Sequence, residues 1–186
     1  MESPNLAATH QATEMRSTSG MRPGSHLTID GSGAFSSPAK GGFTQAFVFT
    51  DHDSSYRSAR VTADKNCNTL VNEVKQWIAH TGRMPETMWL RSIRTDNEFM
   101  CTPLVEFCLE KGINLTACAP HTHEQNAIAE TTVKMIKRVV RRNECMARTG
   151  AKLRALCWKY TAHQLNRTQT STDPSGHMRS QALQWP

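Results

Sequence analysis

The chain has 186 residues, which is enough for one domain with a hydrophobic core and too few for two of comfortable size. Its formal net charge of +6 lies in the second half: residues 1–90 carry 8 Lys and Arg against 8 Asp and Glu, whereas residues 91–186 carry 14 against 8. No apolar run reaches membrane-spanning length and no secretory leader is visible, so no membrane partner is expected. The one-sided basic excess indicates a polyanionic partner, although a solvated helix face would also account for it.

Six cysteines occur without a C-x-x-C pair or a regular framework. Without a visible leader, this usage is typical of reduced thiols in an intracellular protein. We therefore expect a location in the cytosol or the nucleus. The cysteines are Cys67, Cys101, Cys108, Cys118, Cys145 and Cys157.

Composition divides the chain into three parts. Residues 1–25 are rich in Ser, Thr, Ala, Gly and Pro without an apolar period, so a disordered lead-in is expected there. Periodic apolar blocks predict one folded core over residues 26–167. The stretch 168–186 lacks periodicity and is expected to be an irregular tail.

The first half of the core predicts three strands and a helix. Residues 26–30 form a short strand that ends on Asp30. The nearly continuous apolar run at 45–50 is typical of a central strand buried on both faces. Residues 56–62 alternate like a partner strand, and 64–80 predict an amphipathic helix.

The next elements alternate between strand and helix. A strand over 87–93 leads to Asp96. The Thr-Pro pair at 102–103 is typical of a helix N-cap followed by proline at the first helical position, and Gly112 ends that helix. Residues 113–118 predict the last strand.

Two helices complete the predicted fold. Thr122 and Gln125 have capping-box spacing for a long helix that runs to about Cys145. A further helix over 151–166 is expected to pack through its larger apolar residues. Strands alternating with helices in this order predict an α/β fold with a mixed sheet flanked by helices. The packing residues expected on the last helix are Leu153, Leu156, Cys157, Tyr160 and Leu165.

Three acids stand at element ends and are candidate metal ligands. Asp30 ends the first strand, Asp96 follows the fourth, and Glu130 lies early on the long helix. Carboxylates suit Mg²⁺ or Mn²⁺, and two such ions about 4 Å apart support phosphoryl transfer. Asp51 and Asp53 are an alternative source of the first acid, although Asp is ordinary in a hairpin turn.

The long helix carries a row of cations beside Glu130. At about 100° per residue, Glu130 shares one stripe with His123, Asn126, Lys134, Lys137 and Arg141. Pairing of Glu130 with Lys134 would explain one of these cations only. The neighbouring stripe expected to face the core is Ala129, Val133, Ile136 and Val140. The predicted DNA-binding residues are Gln125, Asn126, Lys134, Lys137, Arg138, Arg141 and Arg142.

The sequence resembles a known family in the stretch that holds the last two acids. The matching segments are Arg94–Phe99 (RTDNEF), Phe107–Cys108, Lys111–Ile113 (KGI), Ala119–Thr122 (APHT) and Glu124–Glu130 (EQNAIAE). Together they resemble the integrase catalytic core of copia-type LTR retrotransposon polyproteins, within the retroviral-integrase-like DDE superfamily. The likeness covers roughly residues 22–186.

The resemblance implies a ribonuclease-H-like fold with a five-stranded sheet. It also implies that Asp30, Asp96 and Glu130 form a DDE triad that holds two Mg²⁺ or Mn²⁺ ions. The activity implied is 3′-end processing and strand transfer on double-stranded element DNA, by a homo-oligomer.

The sequence departs from the family pattern near the triad. Members usually have a glycine after the Asp-Asn pair, whereas here Asn97 is followed directly by Glu98. The 33 residues between Asp96 and Glu130 are about two fewer than usual, and loss of a glycine restricts the loop. A catalytically degenerate integrase remnant that only binds nucleic acid is therefore the alternative interpretation.

A zinc site is a second alternative. Cys118, His121 and His123 have suggestive spacing, but a structural zinc needs a fourth ligand and no second paired motif is present. The histidines fit a helix entry or phosphate contacts better.

Overall fold

The computed structural model describes residues 23–81, 90–118, 123–148 and 150–167. The expected tail at 168–186 and the expected lead-in, apart from residues 23–25, lie outside these ranges. Within them, the strands are β1 (His26–Gly31), β2 (Gln45–Asp51), β3 (Arg57–Thr62), β4 (Ser92–Thr95) and β5 (Asn114–Ala117). The α-helices are α1 (Cys67–His80), α2 (Thr102–Lys111), α3 (His123–Ala147) and α4 (Arg154–Asn166).

The strands form one mixed sheet in the order β3-β2-β1-β4-β5. A long loop over residues 32–44 joins β1 to β2, a short one over residues 52–56 joins β2 to β3, and both strand pairs are antiparallel. The parallel pairs β1–β4 and β4–β5 are connected through helices, as parallel strands require a crossover. This arrangement confirms the expected α/β fold with a five-stranded mixed sheet.

Alternating side chains give the sheet two apolar surfaces. All positions of β2 are buried, which confirms a central strand covered on both faces. On one face, α1 and α2 pack against strand residues that include Leu27, Phe49 and Ile93. On the other, α3 and α4 pack against Val48 and Val61.

Element boundaries differ from expectation around the fourth strand. Residues 87–89 of the expected strand lie outside the described ranges, and β4 ends at Thr95, directly before Asp96. The N-cap of α2 is Cys101 rather than the threonine that follows it, while Gly112 ends the helix in a left-handed conformation with φ 65°. Glycine adopts that conformation without steric cost, so this helix stop was predictable.

The packing surface expected for α4 is partly wrong. Leu156 and Tyr160 are 61% and 57% exposed, and Leu153 is also exposed. The buried residues include Ala155 and Trp158, since small side chains let the helix approach β3 and the indole fills the space beside the loop that precedes β2. The expectation holds for Cys157 and Leu165, which are partly buried against this cluster.

The expectation that all cysteines are reduced is also wrong for one pair. Cys67 at the start of α1 and Cys101 beside the start of α2 form a disulfide, with Cα atoms 6.3 Å apart. The two helices lie side by side on the same face of the sheet, which brings these termini together although 34 residues separate the cysteines. No spacing motif could have indicated the pair.

Candidate active site

Asp30 lies near the end of β1, on the face that α3 partly covers. It is 8% exposed, and the Gly31 N–H donates a 2.6 Å hydrogen bond to its Oδ1. Burial raises the pKa of Asp30 to about 6, against the lowering effect of the Gly31 hydrogen bond. The negative charges of Asp96, Glu130 and Glu98 raise the pKa further.

Asp96 stands at the same end of the sheet because β4 runs parallel to β1, with Thr95 beside Ile29. Its carbonyl oxygen accepts a 3.0 Å hydrogen bond from the Phe99 N–H, which begins a short 3₁₀ turn. Burial raises the pKa of Asp96, and the charges of Glu98 and Glu130 raise it further. Asp96 is therefore within the field of two other acids.

Glu130 approaches from the first half of α3. Its Oε2 forms an ion pair with the Nζ of Lys134, one helical turn later, at a distance of 3.3 Å. The neighbouring Ala129 and Val133 are buried, and their packing fixes which side of the helix faces the core. Glu130 lies beside that side and is half-buried. The structure thus brings Asp30, Asp96 and Glu130 into one electrostatic neighbourhood.

The donor set at this end of the sheet suits a hard divalent cation. It consists of carboxylate oxygens, and one of them is buried with a raised proton affinity, which a bound cation would offset. Across the described part of the chain, however, no three His, Cys, Asp or Glu side chains are arranged as ready ligands of one metal ion. These residues therefore fit Mg²⁺ or Mn²⁺ by the type of their donor atoms, and not by a preformed arrangement of ligands among the described residues.

Two further residues at this end, Glu98 and Lys65, were not singled out from the sequence, and Cys118 was considered only as a zinc ligand. Glu98 adds a fourth carboxylate and pairs with Lys65 at 3.4 Å, while Lys65 Nζ also lies 5.5 Å from the centre of the Phe99 ring. Cys118, just after β5, is buried, and burial and then the charge of Asp96 raise the pKa of its thiol. The position of Glu98 inside the Asp-Asn-Glu-Phe run was the available signal; Lys65 gave none.

Asp51 and Asp53 occupy the opposite end of the sheet. Asp51 pairs with Leu27, three residues before Asp30, which is about 10 Å along the strand. It is fully buried, accepts 2.9 Å hydrogen bonds from the N–H groups of Gly24 and Ser54, and also binds the Ser54 hydroxyl. Asp51 therefore stabilises the turn, and neither acid contributes to the charge around Asp30.

The two predicted stripes of α3 are present in the structure. Val133, Ile136 and Val140 are buried, whereas the cations of the other stripe are exposed or half-exposed. Lys137 and Arg141 line a cavity of about 260 Å³ between α3, α4 and the loop after β1. The side chains of Gln125 and Asn126 lie outside the described part of the chain. The cations on or beside the exposed stripe are Lys134, Lys137, Arg138, Arg141 and Arg142.

The zinc alternative rests mainly on residues outside the described ranges. His121 and the side chain of His123 are among them, and Cys118 is buried beside the acids. No described helix is both long and apolar enough to cross a membrane.

No protein-family profile and no curated protein sequence matches the chain, but solved structures do. The HTLV-2 integrase catalytic core domain in complex with magnesium superposes in its trimeric form with a TM-score of 0.65 at 17% identity, over 88% of this chain and 98% of that one. Its dimeric form gives a TM-score of 0.65 at 17% identity, over 88% and 99%.

A chain of the simian T-cell lymphotropic virus intasome, in complex with PP2A regulatory subunit B56 gamma, gives a TM-score of 0.71 at 17% identity. The match covers 90% of this chain and 56% of that one, so this chain spans about half of the intasome subunit. At such identity the likeness shows the fold, which is the ribonuclease-H-like fold of integrase catalytic cores.

Proposed function

We propose that this chain is the catalytic core of a copia-type retrotransposon integrase. It would carry out 3′-end processing and strand transfer on element DNA in the nucleus. The observation that supports the proposal is that acids from separate elements affect one another: the charges of Asp96 and Glu130 raise the pKa of Asp30, and the charge of Glu130 raises the pKa of Asp96. The fold shared with integrase cores adds support only in combination with these acids, because function depends on the residues of the site and not on the fold alone.

In this proposal the three acids hold Mg²⁺ or Mn²⁺, and such ions would activate the attacking oxygen and neutralise the leaving oxygen of a phosphoryl group. Glu130 positions its carboxylate from a helix whose next turns carry Lys134 and Lys137. These cations bind the phosphates of the DNA strand and fix its register without reading its sequence. Gln125 and Asn126, which precede Glu130 on the same helix, remain proposed DNA-binding residues.

A strand-transfer assay with Mn²⁺ and a short duplex tests the proposal. Glu130→Gln and Asp96→Asn should each abolish the metal-dependent product. Glu110→Gln is the matched control, because Glu110 is exposed on α2, where it pairs with its neighbour Lys111. Equal product from Glu130→Gln and Glu110→Gln would refute the catalytic role.

The second candidate is a degenerate core that binds DNA without cutting it. It is favoured by the shortened run after Asp96 and by the lack of a ready three-ligand set among the described residues. It requires salt-sensitive DNA binding that depends on the α3 cations and is unchanged by Glu130→Gln. A Mn²⁺-dependent strand-transfer product that disappears in Asp96→Asn would exclude it.

We also propose that the chain forms a homo-oligomer through α4. Leu156 and Tyr160 are one turn apart and largely exposed, so association would bury both. The HTLV-2 integrase catalytic core domain occurs in a trimeric and a dimeric form. Light scattering should show a smaller species for Leu156→Glu with Tyr160→Glu, and an unchanged mass would refute this interface.

A further inference from the structure

A groove crosses the half of the sheet that α4 does not cover. The apolar cluster beneath α3 and α4 takes none of its described members from β1, β4 or β5. The same three strands contribute Leu27, Ile93 and Leu115 to the opposite, apolar face. The groove encloses about 340 Å³, and its lining includes His26, Thr28, His52, Arg91, Arg94 and Asn114.

Strand register places this groove in line with the acids. Thr28 lies beside Arg94, and Arg94 lies beside Thr116, so the three side chains share one face. Two residues further along β1 and its neighbour come Asp30 and Asp96. On β1 the lining of the groove runs from His26 to Thr28, and Asp30 lies two residues further, about 7 Å along the strand from Thr28.

The charge of the groove suits a polyanion. None of its described lining residues is acidic, whereas Arg91 is exposed and Arg94 is half-exposed. The Arg94 charge reaches Cys118 beside the acids, where it lowers the pKa of the thiol against the raising effect of burial. Asp53 approaches His26 from outside the lining, with 3.2 Å between its Oδ2 and the ring Nδ1.

We propose that this groove holds the sugar–phosphate backbone of the DNA strand engaged at the acids, with Arg91 and Arg94 as its phosphate contacts. The inference rests on the proposed function. It adds a second DNA-binding surface, which lies on the opposite side of the acids from the cations of α3. A strand that passes the acids would then be held at both ends. Neutral Thr28 and Asn114 leave room between the cations for the sugars.

The test measures how the affinity for a labelled duplex depends on salt. Each lost phosphate contact lowers the slope of log K against log[salt] by about 0.9 for duplex DNA. Arg91→Ala and Arg94→Ala should each lower it by that amount, and Arg91→Lys should restore it. Lys75→Ala is the matched control, because Lys75 is exposed on α1, on the opposite face of the sheet.

A gain of charge tests the same idea without removing any native contact. Asn114→Lys should steepen the slope by about 0.9, because Asn114 is exposed at the groove on the edge strand β5. Gln76→Lys adds the same charge to the exposed side of α1 and should leave the slope unchanged. Groove variants that behave like their α1 controls would refute the proposal.

The outcomes separate this inference from the proposed function. If the groove variants change the slope while the wild type forms no metal-dependent product, the groove stands as a DNA site and the catalytic proposal fails. If Glu130→Gln abolishes the product while the groove variants match their controls, the groove proposal fails and catalysis stands.

Discussion

Replacing Asp30 with asparagine should stabilise the fold at neutral pH. Burial and the nearby charges of Asp96 and Glu130 raise the pKa of Asp30 from 3.8 to about 6. Each pH unit of such a rise is worth about 1.4 kcal/mol, so the ionised side chain lowers stability by roughly 3 kcal/mol. Asparagine removes the charge and keeps an oxygen for the Gly31 N–H.

The pH dependence identifies the cause. A raised pKa means that the folded state binds the proton of Asp30 more tightly than the unfolded state does. The charge of Asp30 therefore costs no stability below pH 3.8, and the free energy of unfolding falls as the pH rises from there to about 6. The advantage of Asp30→Asn should be roughly 3 kcal/mol at pH 8, about half of that at pH 5, and absent below pH 3.8. Urea unfolding of both proteins across this range measures the difference.

Asp64→Asn provides a control with the opposite trend. Hydrogen bonds from the Thr69 hydroxyl and the Asn66 N–H lower the pKa of Asp64, so replacing its carboxylate should cost stability at neutral pH and nothing in strong acid. Mn²⁺ should stabilise the wild type and have less effect on Asp30→Asn. A difference between wild type and Asp30→Asn that does not vary with pH would refute the electrostatic reasoning.

Three further predictions concern contacts that hold the fold. Asn166→Ala removes a 2.8 Å and a 2.6 Å hydrogen bond to the backbone at the start of β3 and should cost about 2 kcal/mol in urea unfolding, with no loss contradicting it. Cys67→Ser removes the disulfide to Cys101 and should lower the free energy of unfolding by about 3 kcal/mol. A wild type that is equally stable with and without a reductant would contradict this. Gly31→Ala would place a Cβ 2.9 Å from the Phe99 ring and should cost about 1–3 kcal/mol, detectable as a lower thermal midpoint; an unchanged midpoint would mean that the ring moves freely.

The parts of the fold that follow from local chemistry were predictable from the sequence. The apolar run in β2, the glycine stop at Gly112 and the buried stripe of α3 with Ile136 at its centre each depend on residue type and spacing alone. The same reasoning located Asp30 near the end of β1, Asp96 directly after β4 and Glu130 in the first half of α3. The fold class follows from the order of these elements.

The parts that depend on distant contacts were not predictable. In α4, apolar residues occur on more than one side, and the choice between Leu156 and Trp158 as the buried residue is made by β3 and by Phe35, whose ring stacks on Trp158 at 5.8 Å. Lys65 reaches Glu98 across 33 residues. Periodicity carries no information about either contact, because both arise only when the sheet brings separate segments together.

The packing of α3 has a consequence for how the chain tolerates change. Ile136 is fully buried, and the same helix carries Glu130 and the cations at a fixed angle to the core. Since each residue turns a helix by about 100°, even a small rotation to accommodate a larger or smaller core side chain would re-aim every polar group on the outer side. Substitutions in the interior of this helix would therefore first change the direction of Glu130 and of the exposed cations, well before the chain unfolds.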